Sequence, residues 1–419
     1  MDALSGATVI DVVSGRSIAD GVVLVRDGHV EAVGSADEIE IPRGATITDL
    51  RGHWIIPGLI DAHTHLQPWG LGVALRYGVT AVRDLADRAD LADSLRAAAA
   101  RGPAPHLYIG LAVLDSLGSF GPTHLDTTSV ALPDSVAGRI ASLLAQHANW
   151  ASVSPRVTPA QLESILASAR VPRLPVAAQL GVTDALTAAH LGVASIESLS
   201  GIPEAAGDST ALFATDTLPG AAGWTAFERS WSSLDTAALG DVVRELAARR
   251  LILVPMLVLH EARAHFDDST RWHDPSLAAV PDSAQRSWEL AALLHGAKWA
   301  DSDFAAFRAA RPLQDFAVHT FVTQGGRVAT GSDASRPMLV PGAGVHDEMG
   351  LLVRAGLAPI DALRAATEWG ADLLRADSLG RLRPGAVADL VVLDADPLQS
   401  IANSRRISRV MRAGRWLPR

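Results

Sequence analysis

Two histidines stand two residues apart near the start of the chain, at the end of the apolar run Gly58-Leu-Ile-Asp-Ala-His-Thr-His65. Side chains two apart on a strand point the same way, so His63 and His65 can bind one metal ion together. A carboxylate ends a second such run in Ala329-Thr-Gly-Ser-Asp333. Two imidazoles and one carboxylate can hold a catalytic zinc ion and leave a position for water. The alternative interpretation is a pair of surface histidines in a loop.

The middle of the chain repeats a short β-branched run followed by an Ala-, Leu- and Arg-rich stretch. The strands that this pattern predicts are Ile55 to His65, Val79 to Asp84, His106 to Val113, Trp150 to Ser154, Leu174 to Leu180, Ala194 to Leu199, Leu251 to Leu259 and Arg327 to Asp333. Predicted helices between them include Pro133 to Gln146, Pro159 to Ala169 after the N-cap Thr158, and Thr183 to His190. Eight alternating units predict an α/β fold, a closed (β/α)₈ barrel, whose active site lies at the carboxyl ends of the strands. Closure places the eighth strand beside the first, and Asp333 beside the two histidines.

Both ends of the chain show short alternations of apolar and polar residues around Gly and Asp turns. Examples are Gly21 to Gly28, His29 to Gly34, Ala388 to Leu393 and Ile407 to Trp416. These patterns predict antiparallel strands. We therefore expect residues 1–54 and 381–419 to form one small β-sandwich domain, and residues 55–380 to form the barrel.

The composition limits the classes of partner. The net charge is −10 and the longest basic cluster is the short stretch around Arg405, Arg406 and Arg409, so nucleic acid is not an expected partner. No run approaches the roughly 20 apolar residues that span a bilayer, so no membrane association is expected. The start of the chain does not read as a leader peptide, which predicts a cytoplasmic location. A small-molecule substrate is expected, and a homo-oligomer is compatible with the sequence.

The sequence resembles the amidohydrolase superfamily, within it the imidazolonepropionase-like and prolidase-like branch, over nearly the whole chain. The segments that carry the resemblance are Pro57 to His65, Tyr77-Gly-Val-Thr-Ala-Val-Arg-Asp84, Ala329 to Asp333, His346-Asp-Glu-Met349, Ala362 to Thr367 and Pro384 to Asp394. The resemblance implies two divalent ions, usually zinc. One is held by the His-x-His pair and the last-strand Asp, the other by histidines ending strands five and six, and a carboxylated Lys from strand four bridges them.

The positions of the second ion depart from that family pattern. Ser152 stands where the family has its bridging Lys, while Gln179 and Ser198 replace the histidines of strands five and six. The chain's single Lys, Lys298, lies between strands seven and eight. Hydroxyl and amide oxygens are poor zinc ligands, so we expect at most one Zn²⁺ or similar divalent ion, held by the first ligand set. We assign Ser152, Gln179 and Ser198 to substrate binding.

Four other histidines follow predicted strands and can reach the mouth of the barrel: His124, His260, His265 and His346. For each, a solvated loop position is an equally good interpretation. His260 stands closest to a strand end and is our candidate for a substrate contact or catalytic acid.

Three functions fit these residues. The first is hydrolysis of an amide-like or other C–N bond with at most one metal ion, in which Asp333 carries the proton. The second is a metal-free barrel that catalyses an isomerisation, cyclisation or elimination, with Asp333 as base and a histidine as acid. The third is a binding protein without catalysis. The family resemblance and the intact first ligand set favour hydrolysis, and metal analysis separates it from the others.

Overall fold

The computed structural model describes residues 1–85, 88–115, 128–129, 133–207, 221–288 and 298–418. The strands are β1 (Asp2–Asp11), β2 (Arg16–Arg26), β3 (His29–Ser35), β4 (Thr46–Asp49), β5 (Trp54–Pro57), β6 (Leu59–Thr64), β7 (Val79–Asp84), β8 (His106–Asp115), β9 (Thr128–Ser129), β10 (Trp150–Val153), β11 (Val176–Ala178), β12 (Ser195–Glu197), β13 (Ile252–Val254), β14 (Arg327–Val328), β15 (Leu390–Leu393), β16 (Ile407–Arg412) and β17 (Arg415–Trp416).

The α-helices of the described residues are α1 (Gly70–Arg76), α2 (Ala89–Arg101), α3 (Pro133–Ala145), α4 (Pro159–Arg170), α5 (Ala185–Leu191), α6 (Ile202–Ala206), α7 (Ala221–Trp231), α8 (Thr236–Ala247), α9 (Leu257–Ala264), α10 (Asp282–Ser287), α11 (Asp301–Thr323), α12 (Ala343–Arg354), α13 (Pro359–Ala365) and α14 (Glu368–Leu374). Short 3₁₀ helices cover Ser269–His273, Pro275–Ala279 and Ile401–Arg405. Helix α4 begins after Thr158, the predicted N-cap, and the structure shows that Thr158 forms a capping box with Gln161. No helix in these ranges combines the length and apolar character needed to cross a membrane.

Eight parallel strands form the barrel, in the order β6, β7, β8, β10, β11, β12, β13 and β14. The segment after β14 returns to β6 and closes it: Ala62 N–H donates to the Thr330 carbonyl at 2.7 Å, and Asp333 N–H donates to the His63 carbonyl at 2.9 Å. The predicted (β/α)₈ barrel is therefore confirmed. Closure also places the residues after β14 directly beside the two histidines.

The two ends of the chain share one sheet, in the order β17, β16, β15, β5, β1, β2 and β3, with β4 also paired to β1. The antiparallel ladder between β15 and β5 joins the C-terminal strands to the N-terminal ones. Side chains of this sheet form a separate apolar core, which includes Leu4, Ile55, Val392 and Met411. The two ends of the chain thus form one β domain, as predicted, while the bounds 1–54 and 381–419 stay a prediction.

The predicted first strand, Ile55 to His65, is two strands that meet at Gly58. Strand β5 pairs within the terminal sheet, whereas β6 belongs to the barrel. The Gly58 N–H donates to the Asp389 carbonyl at 2.9 Å, and a Cβ atom on Gly58 would lie 2.2 Å from Thr80 Oγ1. A side chain here would collide with Thr80, and the next N–H, of Leu59, donates to the Gly78 carbonyl in the barrel, so the run passes from one sheet to the other at Gly58.

The predicted seventh strand, Leu251 to Leu259, is wrong in its second half, where helix α9 begins. Met256 adopts a left-handed conformation, with φ 50°, just before the helix. The Glu348 carboxyl group accepts hydrogen bonds from the N–H groups of Leu257 and Val258, at 3.0 and 2.7 Å. These are first-turn donors that a helix leaves unsatisfied, so a side chain distant in sequence stabilises a helix where local pattern favours a strand.

Candidate metal centre

His63, His65 and Asp333 come together at the carboxyl end of the barrel. His65 Nε2 lies 3.0 Å from Asp333 Oδ1, and His63 Nε2 lies 3.7 Å from the same oxygen. The possible ligand atoms of the three side chains all lie within 4.8 Å of one another. In the part of the chain that the structure describes, this is the one group of three or more such side chains close enough to hold a metal ion. Two imidazoles and a carboxylate fit zinc or a similar divalent ion.

The backbone at Asp333 sets the direction of its carboxylate. Asp333 has a φ of 54°, in the left-handed region that most residues avoid and that aspartate tolerates better than most. The preceding Ser332 donates its N–H to Asp61 at 2.9 Å, and Asp61 is buried in β6. Burial raises the pKa of Asp61 to about 7, against the lowering effect of its hydrogen bonds with Ser332. Asp61 therefore attaches this turn to the strand that contains His63 and ends one residue before His65.

Glu197 of β12 determines which nitrogen of His63 faces the centre. His63 Nδ1 lies 2.7 Å from Glu197 Oε2, and Arg83 donates to Glu197 Oε1, also at 2.7 Å. Burial opposes ionisation of Glu197, but Arg83 and His63 outweigh it and lower the pKa of this carboxyl group. A carboxylate can only accept, so Nδ1 carries the proton and the lone pair of Nε2 faces Asp333. Metal-bound histidines commonly have a carboxylate behind them in this way.

Arg83 is fully buried inside the barrel and has a partner for each part of its guanidinium group. It donates to the Ala62 carbonyl at 2.5 Å and to Ser195 Oγ at 3.0 Å, and it lies over the Trp150 ring at 4.4 Å from the ring centre. Sequence analysis missed both Arg83 and Glu197. The available signal was a charge inside an otherwise apolar strand, which must find a partner when buried.

The three residues predicted to bind substrate lie at the ends of neighbouring strands. Ser152 of β10 has the same strand phase as Trp150, which packs on Arg83, so Ser152 also faces the barrel interior. Its Oγ is buried and makes no hydrogen bond to a described residue. Gln179 follows β11 in the phase of Ala177, which pairs with inward-facing Ser195. The substrate-binding role of these side chains stays a prediction.

Ser198 and His260, two of the predicted site residues, contact each other. Ser198 is buried in a left-handed conformation, with φ 49°, and its carbonyl oxygen lies 3.1 Å from His260 Nε2. His260 is fully buried in α9, and its Nδ1 lies 2.8 Å from Glu228 Oε1. Arg263 donates to the same Glu228 oxygen at 2.8 Å. Both ring nitrogens of His260 thus face protein partners, and its role as a catalytic acid stays a prediction.

The other candidate histidines lie apart from the metal centre or outside the described residues. His346 is buried in α12, with Nε2 2.9 Å from the Tyr77 carbonyl and Nδ1 2.8 Å from Ser404 Oγ. Burial lowers the pKa of His346 to about 4. His265 contacts the Glu261 carbonyl at 3.1 Å. His124 falls outside the described residues.

Comparison with known proteins adds a family and a fold. The model of the amidohydrolase family matches residues 54–417. An imidazolonepropionase of Symbiobacterium thermophilum is 35% identical over 120 residues, which cover 27% of this chain and 28% of that protein. A dihydroorotase of Anaeromyxobacter sp. (strain K) is 44% identical over 69 residues, which cover 16% of this chain and 15% of that protein. The chain thus aligns with less than a third of the length of these curated relatives.

Solved structures resemble the whole chain. A bottromycin amidohydrolase has a TM-score of 0.75 and 23% identity, with coverage of 99% of this chain and 86% of that one. The ochratoxinase of A. niger has a TM-score of 0.71 and 16% identity, with coverage of 99% and 95%. At these identities the likeness establishes the fold.

Proposed function

Since the chain belongs to the amidohydrolase family, we propose that it hydrolyses an amide-like or other C–N bond of a small molecule, with one divalent ion, Zn²⁺ or similar, at His63, His65 and Asp333. The observation that carries the proposal is the convergence of these side chains, with the His63 lone pair directed at Asp333 by Glu197. When bound, the ion would lower the pKa of its water toward neutrality and polarise the scissile carbonyl.

Asp333 can serve both as ligand and as base because its two oxygens face different neighbours. Oδ1 is the atom close to His65 and His63, whereas Oδ2 faces Arg336 at 3.9 Å. We assign ion binding to Oδ1 and proton transfer to Oδ2. Asp333 takes a proton from the attacking water as its oxygen bonds to the carbonyl carbon, and returns it to the departing nitrogen as the C–N bond breaks.

Ser152, Gln179 and Ser198 offer neutral hydrogen-bonding groups where the second ion of the family would be held. The buried and unpartnered Oγ of Ser152 supports its use toward a substrate, because a buried hydroxyl without a partner is unfavourable. None of the three provides an imidazole or a charge, so the proposal includes a single ion.

Metal analysis of the full chain tests the proposal. Protein purified without added metal should contain at most one equivalent, a chelator should abolish hydrolysis of a panel of N-acyl and cyclic amides, and added Zn²⁺ should restore it. His65→Ala should lose the ion, whereas His190→Ala, on an exposed helix, should keep it. Two equivalents of bound metal would overturn the single-ion assignment. Full turnover by chelator-treated protein that still needs Asp333 would favour the metal-free alternative.

A further inference from the structure

Arg336 lies at the edge of the metal centre, three residues after Asp333. Its Nε is 3.9 Å from Asp333 Oδ2, and 33% of its side chain is exposed. Arg336 is therefore a cation beside the ligands and open to solvent on one side.

The guanidinium group of Arg336 is poorly satisfied by the protein. Its contact with Asp333 is longer than a hydrogen bond, and among the described residues its buried Nε has no hydrogen-bond partner. Arg83, by contrast, has a partner for each part of its group. A guanidinium presents a rigid fork of donors that matches a carboxylate, so Arg336 has donors to offer a ligand.

Metal binding would leave Arg336 without a counter-charge. An ion on Asp333 takes up the charge of that carboxylate, while the charge of Glu197 is balanced by Arg83. A divalent ion, Asp333 and Arg336 then sum to about two positive charges at the centre. Asp61, a carboxyl group that also faces this turn, is buried and bonded to Ser332. Such a centre favours an anionic ligand.

A second unsatisfied group lies next to Arg336. The Oγ of Ser335 is buried and makes no hydrogen bond to a described residue, although its N–H donates to the His65 carbonyl at 3.1 Å. We propose that Arg336, with Ser335 beside it, binds a carboxylate of the substrate next to the scissile bond, so that the enzyme acts on N-acyl amino acids and similar amides. This inference rests on the proposed hydrolysis.

Matched ligands test the inference on the full chain loaded with Zn²⁺. The binding probes are 3-phenylpropionate and its neutral analogue 3-phenyl-1-propanol, measured by calorimetry. The substrates are N-acetyl amino acids and the same compounds as primary carboxamides. The variants are Arg336→Met and Arg336→Lys. The matched control is Arg327→Met, which removes an exposed arginine that pairs with Asp372 at the opposite end of β14.

The wild-type protein should bind the carboxylate at least about tenfold more tightly than the alcohol, and Arg336→Met should remove most of this preference, since a hydrogen-bonded charge contributes about this much. Arg336→Lys should retain part of it, and Arg327→Met all of it. The ratio of kcat/KM for free acids to kcat/KM for carboxamides should be highest in the wild type and Arg327→Met, lower in Arg336→Lys and lowest in Arg336→Met.

An unchanged preference in Arg336→Met, or no preference in the wild type, would overturn the inference, and the metal alone would then account for any carboxylate binding. Turnover of carboxamides and free acids at equal rates would leave the proposed hydrolysis intact while refuting the carboxylate site. Carboxylate binding that depends on Arg336 without any turnover would support the site and contradict the hydrolysis.

Discussion

His63 and Glu197 contact each other across the barrel, with 2.7 Å between Nδ1 and Oε2, although they come from its first and sixth strands. The contact places the proton of His63 on Nδ1 and leaves Nε2 free to serve as the proposed metal ligand. Arg83 holds the other oxygen of Glu197, so the carboxylate keeps both its charge and its position. The charge of Glu197 should therefore affect how tightly His63 binds a metal ion.

Glu197→Gln should weaken metal binding by about 10- to 100-fold, because it keeps the shape of the contact with His63 but removes the charge behind the ligand. Competition with a chromogenic chelator measures the change. Glu245→Gln, at an exposed pair with Arg249, is the matched control and should leave the affinity unchanged. Equal affinities for Glu197→Gln and wild type would show that the carboxylate does not tune His63.

Asp333→Asn should lower the rate of hydrolysis by about 10² to 10⁴-fold, since general base catalysis contributes about this much. The variant keeps hydrogen bonding and size while it loses basicity, and circular dichroism checks its folding. Metal content should fall as well, because Oδ1 is a proposed ligand. Near-full activity in a folded variant would contradict both the hydrolytic and the metal-free mechanisms.

Buried His346 should lower the free energy of unfolding under acidic conditions. Its pKa is about 4 in the folded chain against an ordinary value of 6.5. Between these pH values the imidazole of the unfolded chain is therefore protonated while that of the folded chain is neutral. The free energy of unfolding should therefore fall as pH drops from about 6.5 to 4, by at most about 3 kcal/mol from this group. In His346→Gln this contribution should vanish, as urea titrations at several pH values would reveal. A parallel pH dependence of variant and wild type would contradict the assignment.

Buried Glu348 should lower the free energy of unfolding as the pH rises, whereas His346 lowers it as the pH falls. Burial raises its pKa to about 8 from an ordinary 4.5, against the hydrogen bonds from Val258 and Leu257. The folded chain therefore binds more protons between these values, and the free energy of unfolding should fall as pH rises from about 4.5 to 8. Glu348→Gln should gain stability relative to wild type across this range, in the same urea titrations and metal state. A relative loss with rising pH would show that the ionised form stabilises α9.

His260→Phe should destabilise the fold by about 1–3 kcal/mol, because Glu228 and the Ser198 carbonyl lose a buried partner. If His260 only positions the Ser198 segment, kcat of the folded fraction should change little and its pH profile should keep its shape. A loss of 10² or more in the folded variant, with one limb of the pH profile missing, would instead establish His260 as the catalytic acid.

The sequence predicts those features that depend on local pattern. Alternation and strand ends locate the eight barrel strands, and closure then brings Asp333 to His63 and His65. The motifs of the amidohydrolase superfamily likewise indicate the family whose model matches residues 54–417. The residues concerned are either close in sequence or brought together because a closed barrel makes its first and last strands neighbours.

Features that depend on which distant side chains meet were not predicted. The partners Arg83 and Glu197 belong to separate strands, and only the packing inside the barrel shows that they pair. Helix α9 depends on Glu348, whose carboxyl group reaches the first turn from α12. His260 therefore lies within a helix rather than after a strand, and is buried as a result.

The division of one extended segment at Gly58 leaves no linker between the terminal sheet and the barrel. Strand β5 ends at Pro57 and β6 begins at Leu59, so a single residue separates the two domains at this crossing. Rotation of one domain against the other would have to break the hydrogen bond from the Gly58 N–H to the Asp389 carbonyl. The terminal sheet thus serves as a fixed base for the strand that contains His63 and leads directly into His65. Heating should therefore melt the domains in one cooperative transition, with loss of the metal centre in the same step.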